Sequence, residues 1–245
     1  MGPEVPGSNP GGAAGMMWHM DDSRPVLLDL FCGGGGASFG YQQAGFRVVG
    51  VDWWEQPDYP CELVCGDVFE VAEDLTEALR PVLIHASPPC QASSRTRSLR
   101  RGSWTTPEPV NQVAQTRELL ESLEAPWVME QVSWRLSGLR PDLMLCGRMF
   151  DLDVVRHRWF EFGGVPVVRQ LEHPRHGSRV QRAGDMPTVD RPVMTITGRT
   201  GHRSAAWLTA ASKALGVPWL DGYLAAVCEA IPPAYTRFIG TELLR

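Results

Sequence analysis

Apolar residues along the chain gather into short unbroken runs, separated by segments with helical spacing. Residues 25–36, PVLLDLFCGGGG, end an apolar run in glycines, the pattern of a buried strand followed by a tight turn. ASFGYQQAG (37–45) predicts a short helix stopped by Gly45. FRVVGVD (46–52) predicts a second strand with an acid at its end, and CELVCGD (61–67) a third. VFEVAEDLTEALR (68–80) puts Val68, Val71, Leu75 and Leu79 on one helical face. PVLIHAS (81–87) reads as a fourth strand and PWVMEQV (126–132) as a fifth, with a proline-led helix, PEPVNQVAQTRELLESLE (107–124), between them. LMLCG (143–147) and RWFEFGG (158–164) predict a sixth and a seventh strand.

Strands alternating with helices imply an α/β fold, with a parallel sheet covered on both faces. Residues 165–203 break the alternation. They are rich in Pro, Gly, Arg and His, and only PVMTITG (192–198) looks like a strand, so they are expected to form a small insert. Helices are predicted in SAAWLTAASKALG (204–216), DGYLAAVCEAI (221–231) and PPAYTRFIGTELL (232–244). The division expected is a disordered tail over 1–24, a core over 25–164, an insert over 165–203 and C-terminal helices over 204–245. The tail reads as leader sequence ahead of a start at Met16, Met17 or Met20, with no signal-peptide pattern.

Composition narrows the class. The chain has 245 residues, 43% hydrophobic and 21% charged, which suits a soluble globular protein without a membrane span. Its six cysteines are scattered and imply reduced thiols in a cytoplasm. Cys61 and Cys65 have no second ligand pair at zinc spacing, and no metal is expected. Net charge is −5, yet its distribution is uneven. Residues 1–87 carry a net −10, whereas 91–104 and 165–205 each carry +4. Those cations are arginines, the side chain that grips phosphate and guanine bidentately. A solvated basic face is the plain alternative.

In open α/β sheets, ligands bind at the carboxyl ends of the strands. Those ends carry Asp29, Phe31, Cys32 and Gly33–Gly36; then Asp52, Trp53 and Trp54; then Gly66 and Asp67; then Ser87, Pro88, Pro89 and Cys90; then Glu130 and Gln131. The glycine run lacks the dinucleotide fingerprint, since Ser38 or Phe39 stands where its third glycine belongs. An acid after the second strand suits a ribose diol, Asp67 an adenine amino group, and Phe31 or Trp53 an adenine face. Pro88-Pro89 cannot continue a ladder and turns the chain away from the sheet, holding Cys90 at the rim. Nearby arginines favour its thiolate. Arg156 and Arg158 are expected on one side of an extended segment.

These residues resemble the cytosine-C5 DNA methyltransferases, as a short member with a reduced target-recognition region. DLFCGGGGAS (29–38) looks like the family's first signature, VDWW (51–54) and CGD (65–67) its next two, and SPPCQ (87–91) the catalytic one. EQV (130–132) stands where the family has Glu-Asn-Val. RHR (156–158) stands in its Gln-x-Arg-x-Arg, with Val154 in the glutamine place, and CEAIPP (228–233) in its Gly-Asn-Ala-Val-Pro-Pro. The resemblance implies a Rossmann-like, S-adenosylmethionine-dependent methyltransferase sheet. Its catalytic residues would be Cys90, Glu130, Arg156 and Arg158. Phe31, Cys32, Gly33, Gly35, Asp52, Trp53, Asp67, Val68, Pro88 and Glu229 would hold S-adenosyl-L-methionine. Double-stranded DNA would meet Arg95, Arg97, Arg100 and Arg101 on its phosphates and Arg175, Arg179, Arg182, Arg199 and Arg203 in the insert. The expected protein is a monomer that flips its target base, as a restriction-modification enzyme would. RNA as substrate, a non-catalytic DNA-binding relative, and a cofactor altered to suit Glu229 are the competing readings.

Overall fold

A computed structural model describes residues 23–56, 58–89, 111–197 and 203–245. The first strands and helices fall where apolar periodicity places them: β1 (Val26–Leu30), α1 (Gly36–Ala44), β2 (Arg47–Asp52), β3 (Glu62–Cys65), α2 (Val68–Leu79) and β4 (Leu83–Ala86). Then follow α3 (Val113–Ser122), β5 (Trp127–Gln131), the short α4 (Trp134–Ser137), β6 (Leu143–Leu145), β7 (Val154–Val155), β8 (Arg158–Gly163) and β9 (Met194–Thr195). Helices α5 (Ala205–Leu215), α6 (Leu224–Glu229) and α7 (Pro233–Leu243) follow in sequence.

Seven strands form one sheet in the order β3-β2-β1-β4-β5-β8-β6. Strands β1 to β5 run parallel, and β8 runs antiparallel to both β5 and β6. The order reverses at β1, which has β2 on one side and β4 on the other. At such a switch point the chain leaves in opposite directions, and a crevice opens at the carboxyl ends.

Period-two alternation divides the core. Leu27, Val48, Leu83 and Val128 join the layer beneath α1 and α7, while their neighbours Leu28, Val49, Ile84 and Met129 join the layer beneath α2 and α3. Both faces being covered explains why these strands read as unbroken apolar runs. A third cluster joins Val154, Met194 and Ile196 to Trp207, Leu208, Leu215 and Val227 of α5 and α6.

Most of the described residues from 165 to 197 are irregular. Strand β9 spans two residues of the predicted PVMTITG strand and pairs parallel with β7, and Val180 bridges Val193. Sequence reading treated VVRHRWFEF (154–162) as one extended segment, but it breaks. β7 belongs to the small sheet and β8 to the large one, so the chain changes sheets at Arg156–His157.

Helix α7 packs closely against α1 in the core. The Thr236 hydroxyl donates to the Ala37 carbonyl at 2.8 Å. A Cβ at Gly40 would collide with the Pro233 carbonyl and the Thr236 hydroxyl. Because one obstacle is backbone, Gly40→Ala should cost roughly 1–3 kcal/mol by overpacking. Urea unfolding would show a lowered midpoint, and an unchanged midpoint would contradict this packing.

Candidate functional site

The crevice at the switch point is a cavity of about 810 Å³. The turn after β1 forms its floor. Phe31 there holds φ 58 and Gly33 φ 50, a left-handed excursion costly for phenylalanine, on the order of 1–3 kcal/mol. The turn is held by a hydrogen bond from the Gly33 amide to Asp52 Oδ2 at 2.9 Å, which joins the ends of β1 and β2. The other Asp52 oxygen accepts longer bonds, both 3.3 Å, from the Trp54 amide and Gln56 Nε2. Trp53 and Trp54 are 61% and 71% exposed at the rim, a large apolar surface for solvent to wet. Asp67 caps α2 by accepting from the Phe69 amide at 2.9 Å while also facing the cavity.

The opposite wall is polar and buried. Glu130 is the last residue but one of β5, and Arg158 opens β8 with its Nε 2.7 Å from Glu130 Oε1. The N–H is not aligned with that oxygen, and among the described residues neither atom has a hydrogen-bond partner. The pair therefore attracts by charge while both atoms keep directional capacity for a third group. Burial raises the Glu130 carboxyl, opposed by Arg158, Arg156 and a Ser87 hydrogen bond. Behind Ser87 lies a buried line: the Tyr41 hydroxyl meets His85 Nδ1 at 3.1 Å, and His85 Nε2 meets the Ser87 hydroxyl at 3.0 Å. Burial pushes His85 down to about 3, so its ring is neutral. Gln131 Nε2 donates to the Pro88 carbonyl at 2.6 Å, tying the end of β5 to the corner preceding Cys90.

The residues singled out from sequence divide clearly. Phe31, Cys32, Gly33, Asp52, Trp53, Asp67, Val68, Pro88, Glu130, Arg158 and Glu229 all line this cavity. Gly35 does not. It caps α1 at φ 79, and a Cβ there would strike Pro60. Arg156 is also directed elsewhere. Its guanidinium donates to the Ile196 carbonyl at 3.0 Å and the Cys228 carbonyl at 2.7 Å, and its own carbonyl accepts from the Tyr235 hydroxyl. The expected shared face of Arg156 and Arg158 fails because the strand breaks between β7 and β8, which ends the period-two alternation. Arg175, Arg179 and Arg182 are exposed, whereas Arg203 stacks on Trp207 at 5.1 Å from the ring. Cys90, Arg95, Arg97, Arg100, Arg101 and Arg199 lie outside the described residues.

Sequence reading placed Asp29 at a strand end without assigning it a role. Both Ser38 and Tyr59 serve it: the Ser38 hydroxyl donates to Asp29 Oδ2 and meets the Tyr59 hydroxyl at 2.6 Å. Asp29 Oδ1 is buried with no partner among the described residues, and the residue faces the cavity. Among the described residues no helix is long and apolar enough to cross a membrane.

No family model matches the chain. The type II methyltransferase M.HgiGI of Herpetosiphon aurantiacus is 37% identical over 91 residues, which cover 32% of this chain and 72% of the relative. The S. pombe Dnmt2 methyltransferase aligns with a TM-score of 0.60 at 12% identity, over 90% of this chain and 98% of that one. A DNA modification methyltransferase encoded within an E. coli prophage aligns at 0.57 and 15% identity, over 90% of this chain and 99% of that one. At these identities the two structures speak for the fold.

Burial pushes the Asp29 carboxyl up to about 7, with the Asp52 charge adding and the Ser38 hydrogen bond opposing. The folded value stands above the unfolded one, so between about pH 4 and pH 7 the folded protein keeps a proton the unfolded chain has lost. Stability therefore falls as pH rises through that window and stays lower above it. Asp29→Asn should remove the fall, worth up to about 4 kcal/mol. The variant should gain on wild type at about pH 8 relative to about pH 4 in denaturant titrations. An equal difference at both values would show that Asp29 does not titrate this way.

Proposed function

The chain belongs to the type II methyltransferase family that M.HgiGI represents, and on that premise we propose that it methylates C5 of cytosine in double-stranded DNA through a covalent adduct on Cys90. The fold is that of S-adenosylmethionine-dependent methyltransferases. One observation carries the finer reading: the buried Glu130–Arg158 pair opens into the same cavity as the glycine turn, Asp52 and Asp67.

The first wall suits S-adenosylmethionine. The turn offers bare backbone, and Gly34 and Gly36 have no space for a Cβ beside Leu220 and the Ile231 carbonyl. Asp52 can accept from the ribose hydroxyls, Asp67 from the adenine amino group, and Trp53 can cover the ring. Glu229 lines the same wall and would stay near the amino-acid part. When bound, the donor supplies an electrophilic methyl on a sulfonium.

The chain's own groups then do the rest. C5 of cytosine is a weak nucleophile. Cys90 would bond to C6 as the thiolate, and the ring electrons would move toward N3. Protonated Glu130 donates to N3, and burial favours the proton it needs. Arg158 donates to O2 and holds the negative charge that develops there. C5, now enamine-like, takes the methyl. Loss of the C5 proton to water, return of the N3 proton to Glu130 and departure of Cys90 as thiolate would restore the aromatic ring. The base must leave the duplex to reach this pocket. Arg95, Arg97, Arg100 and Arg101 would bind phosphates, and Arg175, Arg179 and Arg182 would face base edges. So few readers imply a short or loosely defined target.

Three measurements test this. DNA from cells expressing the chain should carry 5-methylcytosine at a short motif by bisulfite sequencing, and methylation confined to RNA would overturn the substrate. A 5-fluorocytosine duplex should trap wild type covalently but not Cys90→Ser, because fluorine cannot leave C5 as a proton. Glu130→Gln should slow turnover by about 10²–10⁴-fold, the worth of a placed proton donor, with donor binding unchanged by calorimetry. Full turnover by either variant would sink the residue's assigned part.

A further inference from the structure

Outside the cavity, four side chains from three distant segments converge. Cys146 follows β6, His157 lies at the joint between β7 and β8, and His173 and His176 open the insert. Their ligand atoms all lie within 4.8 Å of one another. His157 Nε2 is 3.1 Å from His173 Nε2, which is 3.2 Å from His176 Nε2, which is 3.4 Å from Cys146 Sγ. Strand register causes half of this. Leu145 pairs with Arg158, so the residues just beyond that pair, Cys146 and His157, are set side by side.

Hydrogen bonding does not account for the convergence. A ring nitrogen has a single in-plane position, filled by an N–H or by a lone pair. Yet His173 Nε2 and His176 Nε2 each face two partners at hydrogen-bond range. Protonating the rings would only make them repel. A cation shared among lone pairs satisfies all four atoms at once. With zinc–nitrogen bonds of about 2.0–2.1 Å and a zinc–sulfur bond of about 2.3 Å, the edges of a tetrahedron are about 3.3 Å between nitrogens and about 3.6 Å from nitrogen to sulfur. The three measured separations are close to these edges. One thiolate with three imidazoles is a borderline-soft donor set, the kind that selects zinc.

We propose that Cys146, His157, His173 and His176 form a closed, structural zinc site that fastens the insert to the catalytic wall. Four protein ligands leave no open position, and none of the four lines the 810 Å³ cavity, so the metal takes no part in methyl transfer. Its effect is placement. His157 stands between Arg156, which holds the Ile196 and Cys228 carbonyls, and Arg158, which holds Glu130. Arg175 lies between the two insert ligands, so the same metal fixes a candidate DNA contact. The site rests on the β6–β8 register and on the placement of His173 and His176, and it stands whether or not cytosine is the substrate.

The test uses the full chain, produced without a histidine tag in zinc-supplemented medium. Elemental analysis should find equimolar zinc. Exchange with cobalt(II) should give the strong visible bands of tetrahedral coordination and a near-ultraviolet thiolate-to-cobalt band. Cys146→Ser should abolish the thiolate band, and the pair His173→Ala with His176→Ala should lose the metal. Cys61→Ser and Cys65→Ser should keep both. Chelation should lower the unfolding temperature of wild type toward that of the double variant. Should the variants not fold, the wild-type zinc content and cobalt spectrum decide alone. Wild type that stays without zinc under supplementation, or a cobalt spectrum without the thiolate band, would overturn the proposal.

Discussion

A carboxylate buried at a strand end needs a cation beside it, and the direction of a single strand supplies one. Strand β8 runs antiparallel to β5, so its first residue lies at the carboxyl edge of the sheet, beside Glu130 near the end of β5. In a parallel neighbour the same first residue would lie at the far edge, and Glu130 would face the cavity without a guanidinium. Removing one partner of such a pair costs about 3–5 kcal/mol, since the other charge is left dry. The antiparallel strand thus sets the polar wall of the cavity. Through the Leu145–Arg158 register it also sets where Cys146 and His157 meet.

The two walls of the cavity are built differently. The wall that holds the turn after β1 is backbone and exposed rim: a glycine turn braced by Asp52, with two tryptophans in solvent. The opposite wall is a buried polar network that reaches from Tyr41 through His85 to Ser87 and Glu130. Gln131 extends it to the Pro88 carbonyl. A network of this kind holds the Glu130 carboxyl by several buried partners, whereas the turn is held by the single Asp52 contact.

The parallel half of the sheet was legible because strands buried on both faces leave apolar runs that end in the residues of the site. Asp52, Asp67, Pro88 and Glu130 could be found by reading those ends in order. Arg156 could not be assigned that way. Its function depends on a strand break that hydrophobic pattern does not mark, and on carbonyls of Ile196 and Cys228 tens of residues away. The Asp29–Ser38–Tyr59 group was hidden for a similar reason, since a lone acid inside an apolar run carries no sign of its partners. Of the cysteine–histidine cluster, only the His173–His176 spacing is local. The other two ligands are brought in by β6 and β8, and no spacing along the chain announces that.

The pairing of α1 with α7 governs how the chain reaches this structure. Ala37 and Thr236 are 199 residues apart, yet they share a hydrogen bond in the core. During synthesis at about 5–20 residues per second, on the order of 10–40 s separates the appearance of one helix from that of the other. For that interval Leu27, Val48 and Leu83 have only part of their cover, and the sheet face beneath α1 is open to other chains. Contacts so distant in sequence also slow the final search. The nascent chain therefore carries an uncovered apolar face until α7 is made, a liability to aggregation that belongs to that interval and not to the stability of the finished fold.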